Sequence, residues 1–168
     1  MSQLRTRPGL GSESLTTHSI VPTGVKMHVI LYTDGGARGN PGPAGAGVHI
    51  TDKNGEVLFR GGYFLGHATN NVAEYQGMIL GLERAEKLGA TAVTLRSDSE
   101  LIVKQLKGEY KVKNANLKPL YERVTGLLGS FEQTDVAHVY RQDNKEADQL
   151  VNEALDAAEH IGDFADGR

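Results

Sequence analysis

The sequence predicts an α/β fold: a mixed five-stranded sheet flanked by helices, with elements in the order βββαβααβα. Three observations predict it. Apolar runs of strand length come first, three in succession and separated by turn residues. From Asn70 the apolar period changes to that of a helix. Strand and helix patterns then alternate, which places the later strands in one sheet with helices on its faces.

His28 to Thr33 reads as a buried strand that ends in a carboxylate, Asp34. The segment after it, Gly35 to Gly45, is so rich in Gly and Pro that backbone must approach something closely there. Gly45 to Asp52 and Glu56 to Leu65 carry the next two strands, joined through the Asn54-Gly55 turn signal. Val72, Tyr75, Ile79, Leu82 and Ala85 predict a helix over Asn70 to Leu88, closed by Gly89. Gly77 and Gly81 inside it each cost about 1 kcal/mol relative to alanine, so they predict close packing against a neighbour. Ala92 to Ser97 is the fourth strand and Ser99 to Lys107 a short helix. Asn116 to Ser130 carries a helical stripe of Leu117, Leu120, Val124, Leu127 and Leu128. Asp135 to Tyr140 is the fifth strand, and Asn144 caps a final helix that runs through Glu159. Residues 1–26 lack periodicity and read as a disordered tail, and 161–168 as a short C-terminal tail, leaving 27–160 as the folded unit.

With 168 residues, the chain suits one domain with a respectable core. It has no cysteine, which excludes disulfides and thiolate metal sites. No apolar run approaches the roughly 20 residues of a membrane span, and no basic segment followed by an apolar one opens the chain. A cytoplasmic location is therefore expected. The formal net charge of −3 argues against a generally sticky nucleic-acid binder but leaves room for local contacts. Lys104, Lys107, Lys111, Lys113 and Lys118 are grouped with a single acid, Glu109, among them. A solvated face explains that group when it is taken alone. Grouped positive charge also suits contact with phosphates.

Four acids stand out by position. Asp34 ends a strand. Glu74 lies one turn into the first long helix, where Met78 and Gly81 place it on the apolar face. Asp98 ends the fourth strand, where Ser97, Asp98 or Ser99 could each cap the next helix. Asp148 lies in the first turn of the last helix, in the company of Val151 and Leu155. All four occupy element ends or first turns that can converge at one end of a sheet. Carboxylates so close would repel and force at least one pKa upward. Divalent cations remove the conflict, and hard oxygen ligands select Mg²⁺ or Mn²⁺. Two such ions could run an in-line phosphodiester displacement without a protein nucleophile.

On these residues the chain resembles the type 1 ribonuclease H family. The resemblance covers about residues 28–158. Its carriers are Tyr32-Thr33-Asp34-Gly35-Gly36 with Gly39-Asn40-Pro41-Gly42-Pro43, then Thr69-Asn70-Asn71-Val72-Ala73-Glu74. Ser97-Asp98-Ser99 and Asn144-Lys145-Glu146-Ala147-Asp148-Gln149-Leu150 complete the set. The resemblance implies a ribonuclease H-like fold and an endonuclease that cuts the RNA strand of RNA–DNA hybrids, giving 5′-phosphate and 3′-hydroxyl ends. It makes Asp34, Glu74, Asp98 and Asp148 the metal ligands and catalytic acids. It places Gly35, Gly36, Asn40, Asn70 and Asn71 against the hybrid, the amides at its minor groove, where the 2′-hydroxyl distinguishes RNA from DNA. Thr69 resembles a phosphate contact on the DNA strand, although its position also suits a helix cap.

Two departures from the family pattern matter. Many members carry a histidine in the loop before the last helix; here Tyr140-Arg141-Gln142-Asp143-Asn144 is short and has none. Arg141 is the nearest electrostatic substitute, able to hold phosphate charge but poorly suited to moving a proton. His138, inside the fifth strand, reads as structural. Some members also have a basic, Trp-rich protrusion. This chain has no Trp, so Lys104, Lys107 and Lys111 are expected to take over part of that role. The compact, histidine-less pattern is similar to the archaeal-like branch of the family. A monomer with no obligate protein partner is expected. Two other readings stand beside the enzyme: a catalytically silent nucleic-acid-binding module on the same fold, and a related two-metal nuclease with another substrate. Retention of all four acids argues against the first, and the Asn40 and Thr69-Asn70-Asn71 contacts argue against the second.

Overall fold

The structure is a computed structural model that describes residues 25–164. Residues 1–24 of the expected N-terminal tail and residues 165–168 of the C-terminal tail lie outside the described residues. Three strands form an antiparallel meander: β1 (His28–Ala37), β2 (Gly42–Asp52) and β3 (Val57–Ala68). β4 (Ala92–Ser97) runs parallel to β1, and β5 (Gln133–His138) runs parallel to β4 on the outside. The sheet order is β5-β4-β1-β2-β3-β6, with β6 (Ile161–Gly162) a short sixth strand on β3. The helices are α1 (Asn70–Lys87), α2 (Glu100–Leu106), α3 (Lys118–Leu128) and α4 (Lys145–Ala157). Among the described residues no helix is long and apolar enough to cross a membrane.

The α/β fold agrees with expectation, with three differences of detail. The long Gly/Pro loop shrinks to a tight connection, because β1 continues to Ala37 and β2 begins at Gly42, closed by Arg38 N–H donating to the Pro43 carbonyl at 2.8 Å. β5 starts at Gln133 and ends at His138, since its register with β4, Ala92 opposite Gln133 through Ser97 opposite His138, sets its length. The sheet has six strands rather than five. Ile161 pairs with Gly62, and the Phe164 ring packs edge-on against Phe59 and Tyr63, so the folded unit passes the boundary expected at residue 160.

The sheet divides two layers. One face buries Leu31, Val48, Ile50 and Leu95 against Tyr75, Met78 and Leu82 of α1 and Val124 of α3. The other face takes α4 through Ala147, Leu150 and Ala154. Successive residues of β2 show the alternation: Ala46 meets Gly77 of α1, while a Cβ on Gly47 would lie 2.1 Å from the Ala147 carbonyl oxygen of α4. Close approach is also why β1 carries glycine after its acid. A Cβ on Gly35 would stand 2.4 Å from the Ala73 carbonyl, and one on Gly77 2.9 Å from the Asp34 backbone carbonyl oxygen. These contacts press α1 and α4 onto opposite faces of the same strands.

α1 begins where Thr69 Oγ1 accepts the Val72 N–H at 3.2 Å. It ends in a Schellman arrangement: Ala90 N–H donates to the Ala85 carbonyl, Gly89 N–H donates to that of Glu86, and Gly89 has φ 92°. Both ends of the helix that carries Glu74 are thus fixed.

Candidate active site

β1 outruns β4. Their last pair is Thr33 with Ser97, so Asp34 to Ala37 project past the end of β4 with only β2 beside them. Into the space left open come Asp98, immediately after β4, Glu74 from α1, and Asp148 from the first turn of α4. One carboxylate oxygen each from Asp34, Glu74 and Asp98 lie within 4.8 Å of one another. Asp148 stands outside that tight triad but is close enough to help raise the Asp34 carboxyl. All four line one cleft of about 390 Å³, together with Arg38, Asn70, Arg141 and Asn152.

Local structure frees each acid for this position. Ser99, not Asp98, caps α2, its Oγ accepting the Ile102 N–H at 3.4 Å, and Ser97 Oγ accepts the Ser99 N–H at 3.1 Å. The Asp98 carboxylate is left to face the cleft. Asp34 is 8% exposed and its Oδ1 accepts the Gly35 N–H at 2.9 Å.

Electrostatics follow from crowding. Burial, followed by the charge of Asp98 and the charge and hydrogen bond of Asp148, pushes the Asp34 carboxyl up to about 8 against the pull of the Gly35 N–H. Burial, then the charges of Asp34 and Asp98, raises Glu74 well above the ordinary carboxylate range, while the Gly35 N–H and the Arg141 guanidinium oppose the shift. Glu74 Oε1 is buried with no hydrogen-bond partner. A carboxylate with a buried, unpaired oxygen, set beside two other acids, fits a hard divalent cation. Asp34, Glu74 and Asp98 would hold it, with Asp148 at the margin.

Of the expected substrate residues, Gly35, Gly36, Asn40, Thr69, Asn70 and Asn71 line two clefts that share Asn70, and Lys104, Lys107 and Lys111 line neither. Gly35, Gly36 and Asn70 line the acid cleft, and Asn70 also lines a second of about 350 Å³ with Asn40, Thr69, Asn71, Asn114 and Asn116. The amides are tied together: Asn40 Oδ1 accepts the Asn70 N–H at 2.9 Å, and Asn70 Oδ1 accepts the Ala37 N–H at 2.7 Å. The hydroxyl of Thr69 is engaged in capping α1. Lys104 is held by Glu100 at 3.3 Å on its own helix and lies over the Tyr110 ring, whereas Lys107 and Lys111 are exposed. His138, expected to be structural, is exposed at the end of β5 and stacks edge-on with Tyr140.

A family model described as "Reverse transcriptase-like" matches residues 32–154. Ribonuclease HI of Halobacterium salinarum is 40% identical over 149 residues, spanning 88% of this chain and 74% of that protein. The chain belongs to the type 1 ribonuclease H family.

Solved ribonuclease H structures superpose on it closely. The N-terminal RNase H domain of Rv2228c from Mycobacterium tuberculosis, solved as a fusion with maltose binding protein, gives a TM-score of 0.77 at 44% identity, covering 79% of this chain and 96% of that one. LC11-RNase H1, solved in complex with an RNA/DNA hybrid, gives 0.74 at 45% identity, covering 77% and 98%. The match to Rv2228c spans only 36% of that bifunctional protein's full length.

Arg38 in this ribonuclease H cleft and Asn144 behind it escape sequence reading. Arg38 lines it from the β1–β2 connection, ion-paired with Asp156 of α4 at 2.8 Å. An exposed arginine in a Gly/Pro turn gives no sequence signal of its own. Asn144 was expected to cap α4; it stands at the N-cap position, but its side chain makes no capping bond. Its amide reaches Thr33 and Asp98 instead.

Proposed function

We propose that the chain hydrolyses the RNA strand of RNA–DNA hybrids, using two divalent cations, Mg²⁺ or Mn²⁺, and leaving 5′-phosphate and 3′-hydroxyl ends. The observation that carries this reading is the buried Glu74 oxygen without a partner, set among acids whose charges are mutually unfavourable until a cation joins them. Bound cations supply water activation and charge neutralisation for an in-line displacement at phosphorus.

The chain's own residues do the rest. Asp34, Glu74 and Asp98 hold hard-oxygen positions open at the end of β1, and Asp148 faces the same cleft from α4. Arg141, exposed beside them, offers a permanent positive charge to a phosphate oxygen. With no histidine in its loop, it acts electrostatically and leaves proton movement to solvent. The Oδ1 atoms of Asn40 and Asn70 are committed to backbone N–H groups, which leaves their Nδ2 groups as donors toward 2′-hydroxyls and base edges. The hybrid bound by LC11-RNase H1, at 45% identity, supports the same substrate for this chain.

Product-end analysis tests the proposal. Cleavage of a hybrid should leave 3′-hydroxyls that a polymerase extends directly. Ends carrying a 2′,3′-cyclic phosphate would mean that the RNA's own hydroxyl attacks, and water as the attacking group would be ruled out.

A further inference from the structure

Asn144 is 2% exposed and occupies the N-cap position of α4, yet its side chain bonds none of the helix's free N–H groups. Its Nδ2 donates to the Thr33 carbonyl at 3.0 Å and, over a longer 3.4 Å, to Asp98 Oδ2. Both partners can only accept, so the amide nitrogen must face them. Thr33 is the last β1 residue paired with β4, and the Asn144 amide takes the place beyond that pair. Its main-chain carbonyl accepts the Asp148 N–H at 3.1 Å. One side chain and its backbone therefore touch the residue before Asp34, the carboxylate of Asp98 and the main chain of Asp148.

Two features run against a purely structural role. An asparagine at an N-cap normally stabilises its helix by accepting from the N2 or N3 N–H, and that bond is absent here. Its Oδ1 is buried with no partner, which is unfavourable for folding. Such features concentrate where a site over-determines a residue. We propose that Asn144 is a positioning residue. Its amide orients the Asp98 carboxylate and ties the ends of β1 and α4 together, so that the four acids present a common cation site. The inference rests on the metal-site reading of those acids.

Two variants test it. Asn144→Asp keeps the volume and the capping ability but replaces the donor with an acceptor facing Asp98. Asn144→Ala removes the amide altogether. Mn²⁺ binding by calorimetry, thermal unfolding and hybrid-cleavage kinetics are measured for each. Asn144→Ala is expected to bind Mn²⁺ about tenfold more weakly, the usual loss for an outer-shell partner. Its kcat should fall with it while KM for the hybrid stays within about twofold. Asn144→Asp should be at least as slow while still folding. Wild-type kcat in Asn144→Asp would show that capping and volume suffice and would overturn the proposal. Wild-type Mn²⁺ affinity in Asn144→Ala would do the same. Calorimetry needs no cleavage, so a wild-type chain that binds Mn²⁺ but cuts nothing would defeat the nuclease reading and leave the positioning test intact. If Asn144→Ala does not fold, Asn144→Asp carries the comparison.

Discussion

Replacing Asp34 with asparagine should make the metal-free protein more stable while removing its activity. The carboxyl titrates near 3.8 in the unfolded chain and at about 8 in the fold. Between those values the folded state holds a proton that the unfolded state has released. Stability therefore falls as pH rises from about 4 toward 8, and is fully restored below that window. At 1.36 kcal/mol per unit, the penalty at pH 7 is about 4 kcal/mol for Asp34 taken alone. Glu74 and Asp98 share the same repulsion and their side chains relax, so removing one charge recovers about half, roughly 2 kcal/mol. That is about 6 °C in Tm for a domain of this size. The assay is thermal unfolding by circular dichroism in chelator from pH 4 to 8, with Asp34→Asn beside wild type. The gap should be near zero at the acid end and widen steadily with pH. A variant that melts at or below wild type at pH 7, or a gap that ignores pH, would show that the Asp34 charge does not destabilise the metal-free fold.

Other outcomes follow from the same structure. Saturating Mg²⁺ or Mn²⁺ should stabilise wild type by about 2.7 kcal/mol at a hundredfold excess over Kd, and Asp34→Asn by much less; equal shifts in both would detach the cation from the acids. Gly35→Ala, whose methyl would meet the Ala73 carbonyl at 2.4 Å, should lose about 3 kcal/mol, whereas Gly36→Ala, with only Asn70 Oδ1 at 3.9 Å, should stay within about 0.5 kcal/mol. Denaturant melts that rank the pair otherwise would contradict the packing of α1 on β1. Arg38→Ala should weaken hybrid binding and reduce its salt slope by about one, while Asp156→Asn, which frees Arg38, should strengthen binding; a null result for both reduces the pair to a surface contact. Arg141→Ala should lower kcat at least about tenfold with its melting unchanged, and unchanged kinetics would remove Arg141 from the reaction.

Much of the fold and site is written in local patterns. The helical period from Val72 to Ala85 places Glu74 among apolar and small residues, and that company marks the acid as inward-facing. Gly77 and Gly81 forecast a close neighbour, found in the Asp34 backbone and the Leu31 side chain. What stayed hidden had no pattern to carry it. Gly42 to Ala44 open a strand, but Gly-Pro-Ala shows no alternation of side-chain character, so those residues read as loop. β6 has two residues, too few for any period, and rests on pairing with β3. Asn144 is masked by its own propensity: asparagine before a helix is so common that a different use of its amide leaves no trace. Lys104 reads with its lysine neighbours, although Glu100 four residues earlier on the same helix already offers the partner that the structure shows.

The decisive measurement is cleavage of one labelled RNA strand, presented alone, paired with DNA and paired with RNA. Each is incubated with Mg²⁺, Mn²⁺ or chelator, with Asp98→Asn as the control. A metal-dependent hybrid nuclease gives cation-dependent cutting of the RNA paired with DNA, lost both in chelator and in the variant. Hybrid binding without cutting in either metal, or equal cutting by Asp98→Asn, would contradict it.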